Sequence, residues 1–308
     1  MSEKKPINLE ASVRRRLLNV SRERDEDFNL VLTRYATERF LYRLSMSPYT
    51  DQFVLKGALL IGVWLKNAYR PTRDIDLMSH GHNASQHIIP IFQEICKIDV
   101  EPDAVTFDSR SVRAERMRGA LEFQGLRVHL CAHLENARID MRIDIGFGDA
   151  VFPREIEIAL PTILEFPQPV LKAYPTETVV AEKFEAVIAL GFTNSRMKDF
   201  YDLWRLSSEC DFDGERLLAA IEATLEKRKT QIYALPPVAL SDDFADDAEK
   251  SKQWHAFLNR IGSAERTDLK SLISDLREFL IPLAAAAKDH VIFRRQWRAG
   301  GPWVWVDR

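Results

Sequence analysis

The sequence predicts an α/β (α+β) protein: a mixed sheet flanked by helices, followed by a mainly α-helical C-terminal domain. Three observations carry this reading. Apolar residues recur at three- and four-residue steps near the N-terminus, alternate at a period of two between residues 105 and 145, and return to helical spacing after Pro175. A chain of 308 residues can build two cores, and we place the domains at 1–170 and 171–308. With 46% hydrophobic and 29% charged residues the composition is that of a folded, water-soluble protein rather than a disordered one. A net charge of -3 confines any nucleic-acid contact to a local patch.

Taken in order, Asn8 is the expected N-cap of a first helix carrying Leu9, Val13, Leu17 and Val20. A second helix starts near Asp27 with Phe28, Val31, Leu32, Tyr35 and Phe40 at helical spacing, and Ser47-Pro48 ends it. Residues 53–77, FVLKGALLIGVWLKNAYRPTRDIDL, read as strand, glycine turn, apolar helix, proline turn and second strand. An amphipathic helix is expected at 83–97, then strands at 105–107, 111–117, 126–134 and 137–145. Two proline-rich stretches, at 152–153 and 161–175, mark the expected exit from the sheet. Thr176 is the expected N-cap of the next helix, whose apolar stripe of Val179, Val180, Phe184, Val187 and Ile188 encloses Lys183. A helix from about Ser195 sets Asp199 and Asp202 at i,i+3 apart from Met197, Phe200, Tyr201 and Trp204. Further helices are expected at 213–229, 251–261 and 267–287, with 233–250 and its cluster Asp242, Asp243, Asp246 and Asp247 read as a loop.

Within the second strand Asp74 and Asp76 share one face while Ile75 and Leu77 take the other. Two like charges so close repel unless a cation lies between them, and a hard divalent ion suits carboxylate oxygens. In the strand at 137–145 Asp144 offers a third acidic position. Such a set holds magnesium for phosphoryl or nucleotidyl transfer, where the metal offsets charge developing on phosphate oxygens. The competing reading is a strand edge with solvated charges. Gly57 weighs against it, because a glycine at a strand-to-helix turn lets backbone approach a phosphate.

The run LKGALL…RPTRDIDL, followed by RIDIGFGD, YPTETVVAEKFEA and RMKDFYDLWRL, spans residues 53–206. In that order these motifs resemble the AbiEii/AbiGii-type, MenT-like nucleotidyltransferase toxins, a branch of the DNA polymerase beta-like superfamily. The resemblance implies a polymerase-beta-like nucleotidyltransferase sheet in 1–170, completed as an active site by the helical domain 171–308. It implies nucleotide binding through Lys56, Gly57, Ala58, Arg70, Thr72, Lys183 and Lys198, and a metal, Mg2+ or Mn2+, on Asp74, Asp76 and Asp144. Catalysis then rests on Asp74, Asp76, Lys183, Asp202 and Asp199. Ala58 departs from the family pattern, in which Gly or Ser is usual, so a side-chain hydroxyl is missing there and the backbone N–H remains. Lys183 is implied to neutralise triphosphate charge, the alternative being a lysine that snorkels past the apolar stripe. Asp199 or Asp202 is implied to position or deprotonate the attacking hydroxyl or to support Lys183, the alternative being a surface pair of Lys198 with Asp202.

The resemblance further implies a toxin of a toxin–antitoxin or abortive-infection system, held in check by a separately encoded antitoxin. The co-substrate is a nucleoside triphosphate and the acceptor an RNA, expected to be the tRNA 3′ end. Transfer to a small hydroxylated molecule or a protein hydroxyl stays open, as does a nucleotide- or partner-binding protein without turnover.

Cys96, Cys131 and Cys210 lack a CxxC spacing, which disfavours zinc and disulfides and fits a reducing cytoplasm. No stretch reaches the length of a membrane span, and MSEKKPINLEASVRRR lacks the apolar run of a signal peptide, so a cytoplasmic protein without a membrane partner is expected. The C-terminal segment mixes Arg294, Arg295 and Arg298 with Trp297, Trp303 and Trp305, and is read as docked on the body in preference to a base-stacking surface. His80 and His82 follow the acidic strand without a metal-ligand spacing.

Overall fold

The computed structural model describes residues 8–65, 70–81, 83–117, 125–263 and 267–306, and His82 lies outside them. Two compact units emerge, one of residues 1–59, 71–148 and 157–173, the other of 60–70, 149–156 and 174–308. Among the described residues no helix is long and apolar enough to cross a membrane.

The first unit opens with α1 (Leu9–Glu23) and α2 (Phe28–Ser45): Asn8 caps α1 as the sequence predicts, accepting from the Ala11 N–H, and Asp27 caps α2, accepting from the Leu30 N–H. There follow β1 (Phe53–Lys56), α3 (Ala58–Trp64), most of which belongs to the second unit, then β2 (Asp74–Ser79), α4 (Ser85–Ile95), β3 (Thr106–Arg116), β4 (Leu126–Leu134) and β5 (Ala137–Phe147). The expected strands at 105–107 and 111–117 are one strand, bulged between Asp108 and Arg113 where its pairing with β4 slips. Between and within the two proline-rich stretches the chain adds β6 (Ile156–Ala159) and β7 (Val170–Ala173) rather than leaving the sheet. Strand order is β3-β4-β5-β2-β1-β7-β6, mixed in direction, with β1 antiparallel to β2 and β2 parallel to β5.

Alternation makes this sheet two-faced. Leu55, Leu77, Ile145 and Leu126 lie side by side across four strands, and Ile75, Ile143 and Val128 form the next row, all buried. Phe40 of α2 and Phe92 of α4 stack 5.7 Å apart over this face, with Phe53 and Phe107 meeting them edge-on at 5.6 Å. Each such ring withdrawn from water contributes about 1.5–3 kcal/mol. The opposite face carries the charges.

The second unit is mainly helical: α5 (Thr176–Leu190), α6 (Met197–Glu209), the two-residue strand β8 (Phe212–Asp213), α7 (Gly214–Arg228), α8 (Asp242–Ala245), α9 (Ala248–Arg260) and α10 (Leu269–Asp289). Pro175, not Thr176, occupies the N-cap of α5, and the Thr176 hydroxyl donates to Glu177 instead. The acidic segment expected to be a loop holds two helix starts, with Ser241 capping α8 and Asp247 capping α9. At the C-terminus β9 (Arg295–Trp297) and β10 (Trp303–Trp305) complete a small sheet in the order β10-β9-β8. Trp297 donates to the Ser207 carbonyl at 2.6 Å and Trp303 to the Phe279 carbonyl at 2.9 Å, so the tail is docked as expected. Trp305 alone among these three tryptophans is largely exposed.

Candidate functional site

The charged face of the first unit is a ladder set by strand register. Lys56 on β1 stands opposite Asp76, Asp76 stands beside Asp144 of β5, Asp144 opposite Arg127 of β4, and Arg127 opposite Glu115 of β3. One step along, Asp74 pairs in register with Arg142, Arg142 with His129 and His129 with Arg113. The three carboxylates predicted for a metal thus share two adjacent strands and one face. Two of them are turned to guanidinium groups. Arg127 grips Asp144 with bonds of 2.7 and 2.8 Å, and Arg142 grips Asp74 through Nε at 2.8 Å and through Nη2. Among the described residues no group of three or more His, Cys, Asp or Glu side chains is arranged to hold a metal ion. The predicted triad is therefore adjacent without being convergent, because facing arginines neutralise two of its members.

The donor set still fits a hard divalent cation, since Asp74, Asp76 and Asp144 supply only carboxylate oxygens from one sheet face. Gly57 supports the fit. Its φ of +77° is the left-handed conformation, and a Cβ added there would meet Oδ2 of Asp76 at 2.2 Å. The absent side chain is what gives the Asp76 carboxylate its place at the mouth of the β1–α3 turn. Ala58 is buried as the first residue of α3, and Thr72 offers its hydroxyl at 3.5 Å to the Asp74 carbonyl. His80 joins the strand end through its backbone N–H, 3.0 Å from the Gln52 carbonyl.

The second unit gathers a different set. Lys183 on α5 donates to Oδ2 of Asp202 at 2.6 Å and to Oδ1 of Asp199 at 3.0 Å, both on α6 and both buried. Arg70 closes on the same Asp202 carboxylate with Nε at 2.7 Å and Nη2 at 2.8 Å. Burial alone would lower the Lys183 pKa, but Asp199 and Asp202 more than offset it and the net shift is upward. For Asp202 burial pushes upward, while Lys183 and Arg70 together hold the carboxyl well below the usual carboxylate range. Lys183 is thus a fixed cation and Asp202 a fixed anion at neutral pH. The snorkelling alternative fails here, because the ammonium ends on two carboxylates. So does a surface pair of Lys198 with Asp202, because Lys198 is exposed on α6 while Asp202 is buried.

Sequence reasoning missed Arg127 and Arg142 as carboxylate partners, and Arg196, which ion-pairs with Asp199 at 2.7 Å. Arg196 carried a local signal in its i,i+3 spacing to Asp199. The other two carried none, since their partners are fixed by register between strands. A cavity of about 420 Å3 in the first unit, lined by Arg43, Asp103 and the 98–106 segment, includes none of the predicted site residues.

Residues 39–281 match the family described as nucleotidyl transferase AbiEii toxin of type IV toxin–antitoxin systems. Among solved structures, the nucleotidyltransferase toxin MenT4 from Mycobacterium tuberculosis superposes with a TM-score of 0.51 at 16% identity, covering 91% of this chain and 94% of that one, which shows a common fold. JHP933 from Helicobacter pylori aligns with a TM-score of 0.44 at 14% identity, covering 82% and 89% of the two chains. No match is found among the curated proteins.

Proposed function

Because the chain belongs to the AbiEii family of nucleotidyltransferase toxins, we propose that it moves a nucleoside monophosphate from a nucleoside triphosphate onto an RNA 3′ end, that of tRNA, with Mg2+ or Mn2+ as cofactor. The observation that supports this most is the seat of Asp76, in register beside Asp144 and against a glycine whose added Cβ would meet its carboxylate. Asp74, Asp76 and Asp144 would hold the cation, which when bound supplies positive charge to the phosphate oxygens.

The chain's own residues then divide the work. Gly57 leaves room for the Asp76 carboxylate, and the Ala58 backbone N–H takes the place of the missing hydroxyl. Lys183 brings a proton-saturated ammonium to the triphosphate, oriented by the two carboxylates that hold it. Asp202 serves as a positioning residue for Lys183 and Arg70. A carboxylate whose pKa is depressed by two cations is a poor proton acceptor. A separately encoded antitoxin would restrain the activity, and triphosphate and tRNA together place the reaction in the cytoplasm.

The test is incubation of the protein with each α-labelled nucleoside triphosphate, Mg2+, and total RNA, total protein or small metabolites in separate reactions. Label at the 3′ end of tRNA, lost in Asp76→Ala, is expected. Label confined to protein or metabolites, or undiminished in Asp76→Ala, would overturn the reading.

A further inference from the structure

The carboxylates assigned to the cation are already in use in the folded chain. Asp144 is gripped at both oxygens by Arg127, at 2.7 and 2.8 Å, and Asp74 by Arg142 in the same two-pronged manner. A two-pronged guanidinium occupies the oxygens that a metal would take, so cation and arginine compete for the same atoms. Neither arginine is locked in a core. Their side chains are 31% and 44% exposed, so each can turn into water as a cation takes over its carboxylate. Register sets Asp76 directly beside Asp144, and the arrangement offsets that repulsion by flanking the pair with Lys56 and Arg127, while Asp74 lies against Arg142.

We propose that Arg127 and Arg142 are displaceable counter-ions of the carboxylate rows: they keep Asp144 and Asp74 neutralised without metal, a divalent cation must take the carboxylates from them, and they thereby set its affinity. The inference rests on the reading of Asp74, Asp76 and Asp144 as cation ligands. Arg113 supplies an internal control, since it lies in the same row beyond His129 and spends its guanidinium on the carbonyls of Arg110 and Val112, at 2.6 and 2.8 Å.

Isothermal titration with Mn2+ alone, without nucleotide, reads the proposal directly. Arg127→Gln and Arg142→Gln are expected to bind Mn2+ about threefold to fivefold more tightly than the wild type, the upper part of the range an exposed ion pair is worth. Arg113→Gln, which removes the same charge from the same face, should stay within about twofold. Arg127→Lys and Arg142→Lys keep the charge without the fork and should fall between, and thermal unfolding without Mn2+ reports that each variant is folded. If the Gln variants at 127 and 142 shift Mn2+ affinity no more than Arg113→Gln, while Asp76→Asn loses Mn2+ binding, the counter-ion role falls and the cation reading stands. If Asp76→Asn binds Mn2+ like the wild type, the cation reading itself fails and takes this inference with it.

Discussion

Arg70 and Asp202, 132 residues apart in the chain, form a two-pronged ion pair of 2.7 and 2.8 Å, and Lys183 adds a third bond to the same buried carboxylate at 2.6 Å. Removing the anion while leaving both cations is the costly way to break such a cluster. Asp202→Asn is therefore expected to destabilise the protein by about 3–5 kcal/mol, measured by urea unfolding. A loss under about 1 kcal/mol would mean the carboxylate behaves as a solvent-screened pair.

The same cluster fixes the pH range of that effect. Asp202 is depressed from 3.8, so its stabilisation is complete above the unfolded value and is lost only as pH falls through the lower folded one. Lys183 is raised from 10.5, so its share is complete below that value and is lost as pH rises past the folded pKa. The difference in unfolding free energy between wild type and Asp202→Asn should be flat from about pH 5 to 9 and shrink in stronger acid.

Glu38 behaves with the opposite sign. Buried on α2, it accepts from the Ile163 N–H at 2.7 Å, and burial above all pushes its pKa from 4.5 to about 7. A raised carboxyl binds its proton more tightly folded than unfolded. Stability should thus be full below pH 4.5 on this account and fall as pH rises toward 7, by about 3 kcal/mol. Glu38→Gln keeps an oxygen for Ile163 and cannot ionise, so this slope should vanish from its unfolding free energy measured between pH 4.5 and 8. Persistence of the slope would assign it to another group.

How far the sequence spoke depended on the range of the interaction. Asn8 is a local cap, decided within three residues, and acts as read, and the helix expected to start near Asp27 does so. Face alternation placed Asp74, Asp76 and Asp144 together because it needs only the period of a strand. It could not place Arg127 on Asp144 or Arg142 on Asp74, since those contacts exist only once β4, β5 and β2 are in register. The four-residue strand β7 carries no periodic signal and is a strand because it lies parallel to β1. Pro236, Pro237 and the acidic cluster at 242–247 point to a loop over 233–250, although acids belong in the first turn of a helix, where the macrodipole favours them.

Gly57 allows a sharp test of the sheet-face seat. Gly57→Ala would add a Cβ 2.2 Å from Oδ2 of Asp76 on a backbone with φ of +77°. Backbone strain alone is expected to cost about 1–3 kcal/mol, and the larger consequence is displacement of the carboxylate. Nucleotide transfer should fall by at least about 100-fold, as when a key catalytic group is misplaced, while circular dichroism still reports a folded protein. Wild-type transfer in a folded Gly57→Ala variant would remove Asp76 from the reaction.

The tryptophan tail separates docking from nucleic-acid binding. Trp297 is 3% exposed, packs 4.9 Å from the Phe279 ring and donates to the Ser207 carbonyl. Trp297→Ala opens a cavity and removes one of the two donors to that carbonyl, the Gly300 N–H at 2.9 Å being the other, so a loss of about 3–5 kcal/mol is expected by urea unfolding. Trp305 is 70% exposed and its ring contact is Arg295, 4.3 Å above it. Trp305→Ala should change stability by less than about 0.5 kcal/mol. Its neighbours Arg294 and Arg298 are bound to Glu215 and Asp211, so the charge that a base-stacking surface would need for phosphates is largely matched within the fold. Affinity of Trp305→Ala for tRNA, measured by filter binding at low salt, should therefore stay within about twofold of the wild type, whereas a stacking platform would lose about fivefold or more from one ring.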